Sequence, residues 1–251
     1  IILSERKMKK VSTILALLLS GYATYVPANV ILHGTRVIFP SDKQEVSLRI
    51  ENDNTLPVLV QTWVDDGNST MSANMPKTPF IITPPMFRME SKQGQSLRII
   101  YNGSSLAKDR ESVFWVNVFE IPPTEVKNNQ NSLQLAFRSR IKLFYRPADL
   151  VMPNTDELSK QMQCTGNKET AQLLVLSCKN TSPYYLSFSQ VNISVMINNQ
   201  SVIAPIEQFS MIAPFSTYNT KVKVPESTVP MKLNYFLIND LGGAKEYTAT
   251  L

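Results

Sequence analysis

The sequence predicts an all-β protein made of two immunoglobulin-like β-sandwich domains, and three observations carry that expectation. Only 8 glycines stand against 16 prolines in 251 residues, which disfavours a glycine-rich nucleotide fold. Val, Ile, Thr, Tyr and Phe recur in short runs, the composition of pleated rather than helical segments. Turn signals separate those runs by roughly eight to twelve residues, the spacing of a sandwich. The length suits two domains of ordinary size, and no internal repeat of fixed period is visible.

Residues 1–28 read as a signal peptide with a few upstream residues, cleaved after Ala28. Lys7, Lys9 and Lys10 give a positive start, Ile14 to Leu19 an apolar core, and Val26-Pro27-Ala28 small residues for a peptidase, with Met8 as initiator. That core falls well short of the ~20 residues of a spanning helix, so no stable membrane insertion is expected. Beyond residue 28 the chain holds 21 Lys/Arg against 19 Asp/Glu, so most of the basic excess leaves with the leader. Nucleic acid is therefore not an expected partner.

The remaining chain opens with a β-rich run from Asn29 to Pro40. Alternation then marks strands at Gln44–Glu51, Leu56–Trp63, Phe80–Thr83, Met86–Met89, Ser96–Tyr101 and Val113–Ile121, each stopped by Asn, Asp, Gly or Pro. Asp65-Asp66 beside Gly67 read as solvated turn residues rather than a metal pair, and Asn117 as a position on a polar strand face. The first domain is placed at 29–149 and the second at 150–251, with polar Ala148–Gln163 as linker or domain entry. Strands are expected in the second domain at Ala171–Cys178, Tyr184–Phe188, Val191–Ile197, Ser201–Ala204, Phe209–Ile212, Thr217–Val224, Leu233–Ile238 and Glu246–Leu251.

Cys164 and Cys178 are the only cysteines, and an even pair in an exported chain predicts a disulfide, with two buried thiols as the alternative. They flank Thr165-Gly166-Asn167-Lys168, read as turn-like, and can sit opposite each other on the domain's first two strands. The single histidine, His33, leaves little for zinc or for nucleophile–histidine catalysis. Phosphate loop, G-x-S-x-G elbow and C-x-x-C are all missing, so no enzyme, metal or cofactor is expected.

The most informative stretch is Ser132–Pro147. Leu133, Leu135 and Phe137 alternate with polar or small residues, and Ile141, Leu143 and Phe144 surround Lys142. Sixteen residues are long for one strand. Either it spans a large sheet or it presents an apolar face for something else to cover. Arg36 and Lys142 lie among apolar neighbours, where an unpaired charge is costly. They either snorkel or pair with an acid, or they form an anion cradle of a guanidinium fork and an ammonium.

Five motifs in order carry a resemblance: D-R-E-S at 109–112, E-I-P-P at 120–123, I-K-L-F-Y-R-P at 141–147, S-P-Y-Y at 182–185 and I-N-D-L-G-G at 238–243. Together they resemble the PapD-like periplasmic chaperones of the chaperone–usher pilus pathway. The resemblance implies a boomerang of two sandwiches that folds and caps pilus subunits and delivers them to an outer-membrane usher. In such chaperones a strand is lent to a subunit lacking its own last strand, here with Leu133, Leu135 and Phe137 filling the groove. Each large apolar group so buried contributes about 1.5–3 kcal/mol.

By the same resemblance Arg36 and Lys142 bind the subunit's C-terminal carboxylate, and Glu111, Arg146 and Asp240 form an interdomain salt bridge. Lys142 has the opposite parity to the three groove fillers, which a bulge or twist would reconcile. The short polar stretch Thr124–Asn131 resembles the short-loop subclass that serves rod-like pili. The Cys164–Cys178 pair departs from the long-loop pattern and reads as a domain staple. A free chain can cap its own edge by dimerising. The competing reading is an exported immunoglobulin-like adhesin or carbohydrate-binding module, which would need exposed aromatics, whereas Trp63 and Trp115 sit in apolar patterns.

Overall fold

The computed structural model describes residues 30–68, 70, 78–123, 135–151, 153–197, 200–207, 209–226 and 231–251. These described residues contain seventeen strands and one short helix, arranged as two successive β-sandwiches. The expected signal segment, the stretch Thr124–Asn131 that bears on subclass, and Leu133 lie outside the described residues.

The first sandwich packs a four-stranded sheet on a five-stranded one. The first holds β1 (Val30–Leu32), β3 (Glu45–Asn52), β7 (Gly94–Tyr101) and β5 (Phe80–Thr83) in the order β1-β3-β7-β5. The second runs β2-β9-β8-β4-β6, from β2 (Arg36–Pro40), β9 (Phe137–Arg146), β8 (Ser112–Ile121), β4 (Val58–Asp65) and β6 (Met86–Met89). The opening run therefore splits into two strands in different sheets. Gly34, at φ +149°, makes the crossing in a backbone region that side chains disfavour. Alternate residues of both sheets fill one core, among them Phe39, Ile50, Val60, Leu97, Ile99, Val116 and Leu143.

The second sandwich begins after a six-residue helix, α1 (Thr155–Lys160), where a plain linker was expected. Asn154 caps it by accepting from the Asp156 amide, and Asp156 and Glu157 sit in its first turn, where acidic groups favour the helix dipole. One sheet is β10 (Met162–Thr170), β11 (Leu173–Asn180) and β15 (Thr217–Lys223). The other orders β13 (Gln200–Pro205), β12 (Leu186–Ile197), β16 (Lys232–Ile238) and β17 (Ala244–Thr250), with β14 (Met211–Ile212) also on β12. Two expected strands, Tyr184–Phe188 and Val191–Ile197, are thus one strand with a register shift between Phe188 and Gln190.

Thr165–Lys168 is not a turn but the middle of β10, paired with β11. Gly166 serves packing there, since an added Cβ would lie 3.2 Å from both Leu174 and Leu251. Cys164 faces Cys178 in the ladder and the two are bonded, with Cα atoms 4.1 Å apart.

The two domains share a corner device that composition does not reveal. Buried Asn52 donates to the carbonyls of Leu56 (3.0 Å), Met89 (3.2 Å) and Glu90 (3.0 Å), and its Oδ1 accepts from the Asn54 amide at 3.0 Å. Buried Asn180 donates to Tyr184 O at 2.7 Å and Ala213 O at 3.0 Å, and accepts from the Ser182 amide at 2.9 Å. In each case the end of one strand is tied to the next turn and to a distant loop. N180D replaces a donor by a third acceptor among carbonyls. It should lower unfolding stability by about 2–4 kcal/mol in thermal or urea melts.

Candidate functional site

Strand β9 carries Phe137, Lys142 and Arg146 of the candidate site, and its neighbour β2 carries Arg36. Its pairing with β8 runs unbroken from Ser112↔Tyr145 to Glu120↔Phe137, so no bulge separates Phe137 from Lys142. A regular strand sends alternate residues to opposite faces. Leu143 and Tyr145 enter the sandwich core and Ile141 packs against it. Phe137 and Leu135 share that parity further up the chain but are 47% and 56% exposed. The opposite parity carries Arg138, Arg140, Lys142, Phe144 and Arg146 on the outer face. Opposite parity is thus the plain consequence of one flat ladder, and the bulge invoked from sequence is not needed.

On its other side β9 is only half covered. β2 runs parallel to it from Arg36↔Lys142 to Pro40↔Arg146 and then turns away through Thr35 and Gly34. Among the described residues no strand pairs that edge of β9 from Phe137 to Ile141. An open edge with two exposed large apolar side chains is a surface that proteins ordinarily cover.

Arg36 and Lys142 are ladder neighbours at the point where the edge opens. Arg36 lies over the Phe144 ring at 5.4 Å, and its buried Nε has no hydrogen-bond partner. Lys142 reaches only Ser187 Oγ of the second domain, at 3.4 Å. Among the described residues neither cation has a carboxylate within 4.0 Å, so neither is paired with an acid there. Burial, followed by the positive charge of Arg36, pushes the Lys142 ammonium down to about 8. Burial also lowers Arg36, against the distant pull of Asp240 and Glu111. Two partly desolvated cations thus lie side by side, an electrostatic environment that favours negative charge.

Four residues beyond Lys142 on β9, Arg146 joins the domains. Its Nε donates to Glu111 Oε1 at 2.8 Å, and Nη1 and Nη2 donate to the Asp240 carboxylate at 2.6 and 2.9 Å. Glu111 Oε2 accepts from the Tyr185 amide at 2.8 Å, and Glu111 N donates to Pro183 O at 2.9 Å. Burial alone would depress Arg146, and the paired carboxylates more than reverse it. Burial pushes Glu111 up against the pull of Arg146. Gly242 in the β16–β17 turn comes so close to Thr35 that a Cβ would overlap its Oγ1, which fixes the turn against the mouth of the cleft.

Sequence reasoning misplaced Asp65 and understated Asn117. Asp66 is exposed, but the Asp65 side chain is fully buried. It accepts from Arg140 Nε at 3.1 Å, Asn117 Nδ2 at 2.8 Å and the Gly67 amide at 2.8 Å. Burial alone would raise its carboxyl, and these bonds hold it below the usual range instead. Trp63 is buried with Arg138 over its ring, and Arg140 lies over Trp115, so neither indole offers an open platform. No group of three metal-ligating side chains occurs among the described residues, and none of their helices is long and apolar enough to cross a membrane.

Residues 29–151 match the family described as "Pili and flagellar-assembly chaperone, PapD N-terminal domain", and residues 157–249 match "Pili assembly chaperone PapD, C-terminal domain". The probable fimbrial chaperone YadV of Escherichia coli K12 is 42% identical over 230 residues, covering 89% of this chain and 90% of YadV. The chaperone protein HifB of Haemophilus influenzae is 39% identical over 224 residues, covering 87% and 86%. The YadV crystal structure superposes with a TM-score of 0.73 at 39% identity, over 89% of this chain and 100% of that one. The SafB chaperone structure, solved with the Salmonella enterica SafA pilin, gives 0.71 at 25% identity over 91% and 99%.

The half-buried Lys142, with no carboxylate partner among the described residues, makes the free fold less stable than an apolar side chain there would. Because its folded value lies below the ordinary lysine value, stability attributable to it is lowest below pH ~8 and recovers as pH rises towards ~10.5. K142M should therefore melt at or above the parent temperature at pH 7, with the gap closing by pH 10.

Proposed function

The chain belongs to the PapD family of pilus-assembly chaperones, and on that premise we propose that it lends the open edge of β9 to an unfinished pilus subunit. It chaperones pilus subunits, as its fimbrial-chaperone relatives do. One observation carries the strand-lending reading: a strand edge unpaired among the described residues, with Leu135 and Phe137 exposed, ends on two half-buried cations that have no counter-ion among those residues.

A subunit strand added to that edge occupies the line that β2 vacates. To finish where β2 begins it must run in the direction of β2, parallel to β9, and its last residue then stops beside Arg36 and Lys142. A free C-terminal carboxylate supplies the missing negative charge. Leu135 and Phe137, with Leu133 before them, fill the gap in the subunit's core, while backbone hydrogen bonds pair its open edge. Binding supplies the stabilisation and needs no nucleotide.

Glu111, Arg146 and Asp240 set the angle between the sandwiches, a role in which a buried charge network is better understood than as net stabilisation. The Cys164–Cys178 bond staples the second domain. Periplasmic location, delivery to an outer-membrane usher and dimerisation of the free chain over the same edge complete the proposal. The alternative of an adhesin or sugar-binding module is not favoured, since Trp63 and Trp115 are covered by arginines.

Co-expressed in the periplasm with a subunit, K142A should abolish recovery of the complex while the chain itself stays folded; undiminished recovery would refute carboxylate anchoring. L135E should block capture by placing a charge in the groove. The pH dependence follows from the depressed Lys142. A bound carboxylate favours its charged form, so affinity should be level below pH ~8 and fall by up to about tenfold per pH unit above it. K142R, charged throughout, should flatten that profile.

A further inference from the structure

We propose that buried Asp65 is a positioning residue for strand lending: through Arg140, Arg138 and Asn117 it holds the uncovered half of β9 flat on β8. The open edge then stays straight and in register for a partner strand. This deepens the strand-lending reading and rests on it. β9 has β8 on one side from Phe137 to Tyr145, while β2 reaches only from Lys142 to Arg146. Phe137, Arg138 and Ser139 are exposed, so this half also lacks the buried face that normally fixes register. A strand end held in this way is among the first parts of a sheet to open. The side chains on its outer face supply what a second strand would otherwise give.

Arg138 and Arg140 both reach back over β8 towards β4, which leaves the open edge itself clear. Arg140 stands opposite Asn117 in the ladder, yet its guanidinium crosses to β4. There Nε donates to Asp65 Oδ2 at 3.1 Å and Nη2 donates to Oδ1. Arg138 stands opposite Phe119 and leans to the next pair on that face, donating to Asn117 Oδ1 from Nε at 2.8 Å and Nη2 at 2.6 Å. Asn117 Nδ2 then donates to Asp65 Oδ2 at 2.8 Å, and Arg138 Nη2 lies 3.4 Å from the same oxygen. The guanidiniums of Arg138 and Arg140 rest on Trp63 and Trp115, 4.8 and 4.7 Å from the ring centroids. These struts run diagonally across β8, so they oppose both peeling and sliding of β9. Asp65 is their common anchor. Its side chain is fully buried and also accepts from the Gly67 amide at 2.8 Å.

A loosened edge must be straightened before a partner strand can pair with it. Affinity then falls by the fraction of time the edge is in place. When loosening is fast, the loss appears in the association rate and leaves dissociation unchanged, because the bound edge is straight in either case.

The test uses the chain from Asn29 onward. Hydrogen exchange read by mass spectrometry should show D65N exchanging about tenfold or more faster over residues 137–141, with 143–146 and the second domain at parental rates. R140M should act in the same direction, and D65N/R140M should add little to D65N, since Asp65 acts through Arg140. R140K keeps a charge without the fork and should recover part of the protection. R140M leaves Asp65 its bonds from Asn117 and the Gly67 amide, so it decides the question if D65N does not fold. Surface-plasmon kinetics with an extended peptide of alternating valine and serine, free at its C terminus, should show slower association with D65N and R140M and parental dissociation.

Parental exchange over 137–141, or faster exchange spread evenly over the first domain, overturns the inference and leaves the network a general stabilising role. So does faster dissociation at unchanged association, the mark of direct contact with the peptide. In each of these cases the parent chain still binds the peptide and the strand-lending reading stands. If the parent chain does not bind it, that reading fails and this inference with it.

Discussion

The structure depends on one mismatch of lengths. β9 is paired with β8 from Phe137 to Tyr145, but β2 accompanies it only from Lys142 onward. The half that β2 covers belongs to the sandwich: Leu143 and Tyr145 are core, Phe144 packs on Tyr185 of the second domain, and Arg146 bonds to both domains. The half it leaves uncovered has Leu135 and Phe137 facing solvent on the same parity that elsewhere faces the core. A strand rigid at one end and open at the other can join a second protein without itself having to fold, which lowers the entropic cost of capture.

Electrostatics fixes where such a partner must end. Buried cations ordinarily come with acids, as Arg146 does here with Glu111 and Asp240, and as Arg140 does with Asp65. Arg36 and Lys142 depart from that rule on the same strands, within the same cleft. The contrast argues against simple crowding of charge, because the surrounding network shows how fully this fold satisfies a cation it keeps for itself. The Lys142 ammonium is depressed by its burial and by the neighbouring charge of Arg36.

Much of this was legible in the sequence, for physical reasons that differ by element. Strands with one buried face, such as β3 and β8, reveal themselves by alternation, and their ends by Asn, Gly and Pro. The motif series named the family and drew Arg36, Lys142, Glu111, Arg146 and Asp240 out of a chain where spacing alone could not join them. Asp65 was misread because a D-D-G stretch is judged by its local turn chemistry, whereas its partner Arg140 lies 75 residues away. Gly166 and Asn167 likewise look like a turn, and only the ladder with β11 makes them strand. Asn52 and Asn180 went unnoticed although each ends a strand and bonds two and four residues ahead, a pattern of spacing that could have been sought. The helix after Asn154 also carried its cap and acidic first turn in plain view.

A crystal structure of the complex between this chain and a pilus subunit it captures tests the central claim most directly. The subunit's last strand should run parallel to β9 in line with β2. Its terminal carboxylate oxygens should lie about 3 Å from Lys142 Nζ and the Arg36 guanidinium. A subunit bound through another edge, or with its C terminus elsewhere while Arg36 and Lys142 stay unpaired, would contradict it.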